Sequence, residues 1–214
     1  DRGVGAGVAG GYHNGQHFLE VMLSALYLAR LVRLIPRRTA RVVTAALMHD
    51  FHHDGSRSAS SPFRLELLAA QKAQPYLRAA GGDDDECLRL QTLVLATDPS
   101  TGAPFARACW ACHATGGPVT PLEPMPPPPL VRLLVEPDLA YEAVLLAEAD
   151  VLPSIGLTLE HAEQLQSRLA IEWGTVLGRD DKRQFIDRMI REISVASFFV
   201  PNMQALRQTY LGTG

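Results

Sequence analysis

Apolar positions recur at three- and four-residue steps along most of the chain, the spacing that gives a helix one buried face. From about Gly15 to Val32 the stripe is Phe18, Val21, Met22, Ala25, Leu26, Ala29 and Val32. Pro36 punctuates it, and Thr39 to Met48 repeats the pattern with Ala40, Val43, Ala46 and Leu47 on one side. A third helix is opened by Pro62, carries Glu66 and runs to about Ala80; Pro75 is expected to break or kink it. Gly81 and Gly82 stop it, and the acidic run Asp83 to Glu86 suits the start of the next helix, Cys87 to Ala96, which ends in Thr97-Asp98. Further on, Leu139 to Leu152 presents Asp150 near its end, and two more helices, about Thr158 to Leu177 and Arg183 to Phe199, close the chain. Strand-like alternation and internal repeats are both missing, so the expected fold class is all-α, a multi-helix bundle in one domain spanning residues 1–214.

One stretch departs from this pattern. Residues 99–129 hold two Gly-containing turns, Cys109-Trp110-Ala111-Cys112-His113 and four consecutive prolines at 126–129. It is too long for an ordinary connection, so it reads as a non-helical insertion or active-site lid.

Composition narrows the partners. With 214 residues and 47% hydrophobic content, the chain can bury a substantial core. The formal charge of -3 comes from 20 basic and 23 acidic residues that are interspersed, so no polyanion-binding surface is implied and nucleic acid is not an expected partner. Arg30, Arg33, Arg37, Arg38 and Arg41 interrupt the longest apolar run, which excludes a membrane-spanning helix there. Three cysteines fit a reducing compartment rather than a disulfide framework, and a cytoplasmic location is expected. The start, Asp1-Arg2-Gly3, lacks an initiator Met and reads as trimmed or excised. Oligomeric state leaves no trace in the sequence.

Five of the seven histidines fall in two short segments. Tyr12-His13-Asn14-Gly15-Gln16-His17 places two imidazoles four residues apart, on one face of a helix start. His49-Asp50-Phe51-His52-His53-Asp54-Gly55 follows an apolar helix, and adjacent His and Asp at a helix end can reach one cation. His17, His49, Asp50 and Asp150 make a mixed N/O donor set suited to Zn, Fe, Mn or Ni, with Asp50 able to bridge to a harder second ion such as Mg or Mn. Two bridged cations suit hydrolysis of a phosphate ester, and His13 is placed to protonate the leaving oxygen.

The ordered motifs YHNGQH, HDFHHDG, SPFRLE, LATD and AEAD resemble the HD superfamily of metal-dependent phosphohydrolases, and within it the class I 3',5'-cyclic-nucleotide phosphodiesterases, from about Tyr12 to Phe199. The resemblance implies a compact HD-type helical bundle, a binuclear metal site and hydrolysis of a small-molecule phosphate ester, a cyclic nucleotide going to the 5'-monophosphate by attack of metal-activated hydroxide. It implies His13 as general acid and His17, His49, Asp50 and Asp150 as ligands of the tighter ion. His53 and Glu66 match positions that bond water around the second ion, and Asp98 matches the carboxylate of the ATD motif near the site. Two departures stand out. In the family a glutamine three residues before a phenylalanine holds the purine; here Phe185 is retained as a base clamp, Lys182 takes the glutamine position, and Gln184 adjoins the Phe as a further candidate contact. Pro153 stands where the family has an asparagine.

Two other readings compete. One is a nucleotide or phosphomonoester hydrolase of the wider HD group. The other starts from CWACH, which has the C-x-x-C-H form of haem attachment: Cys109 and Cys112 would carry the thioethers, His113 would ligate and Met125 could supply the axial ligand. A Zn or Fe–S knuckle there would borrow Cys87 or His161, and the chain would then be a haem- or metal-binding regulatory domain with a vestigial HD site. Trp173 and Phe198 read as core, and His161 as a solvated helix residue.

Overall fold

In a computed structural model of the chain, the described residues are 10–56, 61–119, 126–155, 157–192 and 200–211. Ten α-helices run α1 (Gly15–Leu31), α2 (Pro36–Met48), α3 (Arg64–Ala79), α4 (Asp84–Leu95), α5 (Gly102–Thr115), α6 (Pro128–Val131), α7 (Pro137–Ile155), α8 (Leu159–Glu172), α9 (Arg179–Glu192) and α10 (Val200–Leu211). A short 3-10 turn, Arg132–Leu134, follows α6. The all-α expectation holds: no strand occurs among the described residues. None of their helices is long and apolar enough to cross a membrane.

The bundle is built on α7, which packs against α1, α2, α4, α5, α8 and α10. Leu139, Ala143, Leu146 and Ala149 are all fully buried, as expected of a helix apolar nearly all round. Its one deeply buried carboxylate near the N-terminal end, Glu142, accepts from Arg38 Nε at 2.6 Å and Arg41 Nη1 at 2.8 Å, and Arg41 Nε also reaches Glu86 Oε1 at 3.1 Å. A buried charge is tolerated only when paired in this way. The main core joins α7 to α1, α2, α4 and α5, while Ile155, Ile186, Met189, Met203 and Leu206 form a second cluster between the end of α7 and α8–α10.

Local chemistry explains most element boundaries. Asn14 caps α1, its side chain accepting from Gln16 N and His17 N. Pro36 opens α2 at its first turn instead of merely separating two helices. Gly81, at φ 89°, ends the α3 region, and Asp83 caps α4 by accepting from Glu86 N. Pro75 does not break α3, which runs continuously to Ala79.

The non-helical reading of residues 99–129 is corrected. Residues 102–115 are helix α5, which packs on α7 and buries Ala103, Phe105, Ala106 and Cys109. Pro104 lies in the first turn, where a missing N–H costs no helical hydrogen bond. Gly102 is required by close approach, because a Cβ there would lie 2.2 Å from the Leu95 carbonyl oxygen. The prolines are ordered too, Pro128 and Pro129 forming the first turn of α6. Helix α10 has no counterpart in the apolar pattern, while Phe198 and Met125 lie outside the described residues.

Candidate metal centre

Three helix segments carry the site. His17 sits in the first turn of α1, where the Asn14 cap fixes the backbone, and His49 is the C-cap of α2. Asp50 follows where the chain leaves the helix, so its side chain turns to the same side as His49. Asp150 comes from α7. One ligand atom from each of His17, His49, Asp50 and Asp150 lies within 4.8 Å of all the others. Asp50 Oδ2 is 3.1 Å from His17 Nε2 and 2.9 Å from His49 Nε2, and Asp150 Oδ1 is 3.5 Å and 3.3 Å from the same two nitrogens.

The donor set fits a divalent cation. His49 Nδ1 lies 2.7 Å from the Ala46 carbonyl oxygen, to which it can only donate. In the neutral ring that leaves the Nε2 lone pair facing two carboxylates, an arrangement that calls for a positive charge between them. His49 Nε2 has no hydrogen-bond partner although it is fully buried. Burial opposes a charged imidazole, yet Asp50 and Asp150 hold His49 well above the usual histidine range. Burial likewise opposes ionisation of Asp50, but His49, His13 and His17 hold its carboxyl well below the usual range. Two histidines and two carboxylates held this way by backbone and helix termini suit Zn, Fe or Mn.

His13 stands beside this group, its Nε2 3.7 Å from Asp50 Oδ2. Glu172, at the end of α8, grips it twice: Oε1 accepts from the ring Nδ1, and Oε2 accepts from the His13 backbone N at 2.9 Å. Burial lowers the His13 pKa, but Asp50 and Glu172 outweigh it and the net shift is upward. The turn Asp50–His53, with His52 at φ 64° and His53 N donating to Asp50 O at 2.9 Å, swings His53 back over His13. The two rings stack at 3.6 Å, and burial together with the charge on His13 pushes His53 down to about 4. Glu172 escaped the sequence reading because a lone Glu on an amphipathic helix looks like surface; its 6% exposure is the structural signal.

The remaining expected residues divide. Glu66 is buried in α3 and lines the cavity; burial and the carboxylates of Asp98, Asp50 and Asp150 push its acid up to about 8. Asp98 is a positioning group. Oδ1 accepts from Ser100 N at 2.9 Å and Thr101 N at 2.8 Å, holding the turn into α5, and Oδ2 accepts from Phe63 N at 2.9 Å. Phe63 has φ 62°, a left-handed conformation that costs a non-glycine residue about 1–2 kcal/mol and so needs such a tether. Through it Asp98 sets the start of α3 and hence Glu66.

A cavity of about 540 Å³ opens over the site. His13, Asp50, Glu66 and Asp150 line one part of it, and Leu169, Trp173, Lys182 and Phe185 from the α8–α9 side another. Phe185 is part of that wall. Gln184 is not: it faces solvent, because the residue before a cavity-facing helical position points about 100° away. Tyr12 and Ser154, neither singled out in the sequence, share a hydrogen bond of 3.0 Å in the same wall.

CWACH lies on helix α5. Cys109 is fully buried in the main core, and His113 Nε2 is bonded to the Leu133 carbonyl at 2.8 Å. Burial pushes the Cys109 thiol up to about 12. A thioether to haem would require α5 to leave the core. His161, expected to be solvated, pairs with Glu20 at 3.2 Å. Trp173 is half-buried in the cavity wall and not in the core.

No protein-family model matches the chain, and no curated protein matches it. Solved structures do. The phosphodiesterase domain of a rhodopsin phosphodiesterase from Salpingoeca rosetta superposes with a TM-score of 0.68 at 18% identity, covering 94% of this chain and 74% of that one. LmjPDEB1 in complex with IBMX gives 0.64 at 16%, covering 94% and 73%. A second structure of the Salpingoeca rosetta domain gives 0.59 at 19%, covering 94% and 71%. At these identities the likeness is one of fold: the chain has the all-helical fold of phosphodiesterase domains.

Proposed function

We propose that this chain is a metal-dependent phosphodiesterase that hydrolyses a small-molecule phosphate ester, with a 3',5'-cyclic nucleotide going to the 5'-monophosphate as its reaction. The observation that carries the reading is the convergence of His17, His49, Asp50 and Asp150 on one point with a separately held histidine, His13, beside it in the same cavity. His17, His49, Asp50 and Asp150 would hold one divalent ion, and Asp50 would share a second. Such ions supply an acidified water and neutralise charge on a phosphoryl group.

The chain's own groups do the rest. Glu172 takes the Nδ1 hydrogen bond of His13, so the transferable proton sits on Nε2, facing the cavity. Breaking the phosphorus–O3' bond leaves an alkoxide that His13 protonates, while Glu172 keeps the ring oriented. His53, held neutral, stacks on His13 without competing for its proton. Phe185 offers a flat apolar face to a base.

The test is hydrolysis of cyclic AMP, cyclic GMP, a linear mononucleotide and bis(p-nitrophenyl) phosphate with Mn or Mg, metal content being read on the same sample. Cleavage of a cyclic nucleotide that Asp150→Ala abolishes supports the reading. Faster cleavage of the linear monophosphate moves it to a phosphomonoesterase, and bound metal without turnover leaves a regulatory domain.

A further inference from the structure

The part of the cavity opposite the metal centre contains a charge that catalysis does not use. Lys182 on α9 is 6% exposed and lines the cavity beside Phe185, its Nζ 5.7 Å from the ring centroid. Among the described residues its hydrogen-bond partner is the Ala162 carbonyl, at a long 3.5 Å. An ammonium has three donors and no acceptor, so a buried one with a single long contact is short of acceptors. Burial alone pulls Lys182 down to about 8, which leaves it mostly charged at neutral pH.

A second group restricts what can satisfy it. Gln166 lies one turn beyond Ala162 on α8 and also lines the cavity. Its Nε2 donates to the carbonyls of Leu177 at 2.9 Å and Gly178 at 3.0 Å. With both amide hydrogens used, the group it can offer a ligand is a carbonyl oxygen, and unlike an unrestrained amide it cannot exchange donor for acceptor. The neighbouring walls are Leu169, Trp173 and Phe185, whose apolar faces suit a flat ring.

We propose that Lys182 determines specificity, selecting a guanine-type keto purine over adenine. Guanine presents O6 and N7, both acceptors, along one edge, and N–H donors next to O6; adenine puts an amino donor where guanine has O6. A donor-only ammonium at Lys182 takes both adjacent acceptors of the guanine edge while the Gln166 oxygen accepts from the neighbouring N–H, whereas the amino group of adenine separates its acceptors and leaves the ammonium one of them beside an unfavourable donor. This rests on the cyclic-nucleotide reading of the site and names which nucleotide it takes.

The experiment measures kcat/KM for cyclic GMP and cyclic AMP in the metal-loaded protein and in Lys182→Met and Lys182→Gln. The readout is the ratio of the two substrates, which a general loss of fold or metal does not alter. The parent should favour cyclic GMP by roughly tenfold or more. Lys182→Met should bring the ratio close to one, and Lys182→Gln should do the same through an amide free to serve either base. A parent that is indifferent or prefers cyclic AMP overturns the proposal, as does a ratio that survives both substitutions. If bis(p-nitrophenyl) phosphate is cleaved and neither cyclic nucleotide is, the base assignment fails while metal-dependent hydrolysis stands. If nothing is cleaved, hydrolysis itself fails, and calorimetric binding of 5'-GMP against 5'-AMP to the Mn-loaded protein decides: tighter GMP, weakened by Lys182→Met, supports Lys182, and equal or absent binding refutes it.

Discussion

Two short segments of this chain spell out ligand chemistry, His49-Asp50 and Cys109-Trp110-Ala111-Cys112-His113, and the bundle treats them in opposite ways. The first lies where α2 ends, so His49 and Asp50 are not forced 100° apart and both reach His17 and Asp150. The second lies inside α5, whose periodicity sends Cys109 into the core, Cys112 to a half-buried position and His113 onto the Leu133 carbonyl. A motif is therefore worth what its place on an element allows. Convergence also needs a partner from elsewhere: α7 brings Asp150 to the first segment, whereas against the second it sets apolar packing and Tyr141, whose ring lies 4.6 Å from Trp110.

The comparison breaks most sharply at Asp50. Asp50→Ala should abolish metal retention, read by elemental analysis, and take turnover to background, since one carboxylate faces both ligand histidines. His13→Ala should keep the metal and lose roughly 10²–10⁴-fold in kcat, the usual worth of a positioned acid; equal rates in mutant and parent would remove His13 from the mechanism. Asp98→Asn tests the tether that sets the start of α3 and the turn into α5, and should destabilise the fold by about 2–3 kcal/mol in urea melts. Burial opposes the Asp98 carboxylate, but its bonds from Phe63, Ser100 and Thr101 hold its pKa below the usual value. Its contribution is then present above the unfolded carboxylate pKa of about 4 and fades as pH falls below that toward the folded value. The parent should lose stability over that acid range more steeply than the Asn variant. Smallest of all, Cys109→Ala should cost about 1 kcal/mol of packing and leave kcat/KM and the metal content alone. A Soret band in the parent after expression with haem-maturation machinery, lost in Cys109→Ala, would reverse the comparison.

How much could be read in advance follows from the range of the interactions. His13, His17, His49 and Asp50 were legible because they sit at a helix start and a helix end marked by Asn14, Gly15 and Gly55, all local signals, and Asp150 through the order of motifs that ends in AEAD. Glu172 was not, because its meaning lies in a contact 159 residues away along the chain. Helix α5 was hidden by composition: Gly102 and Pro104 read as loop residues until the Leu95 carbonyl and the first-turn exemption explain them. Gln184 was displaced by a single residue, enough on a helix to exchange cavity for solvent. Lys182 was legible as a departure, and only burial beside Phe185 gave it a role.

The central position of α7 has a consequence for how the protein is made. A ribosome delivers the chain N-terminus first at about 5–20 residues per second, and α1, α2, α4 and α5 all wait for a helix that ends at Ile155. For several seconds their apolar faces have each other but not the element they are shaped to cover, and Arg38 and the buried Arg41 have no Glu142. A nascent chain stalled before Pro137 should therefore remain protease-sensitive and bound by chaperones, and release of α7 should convert it in one step to a resistant form.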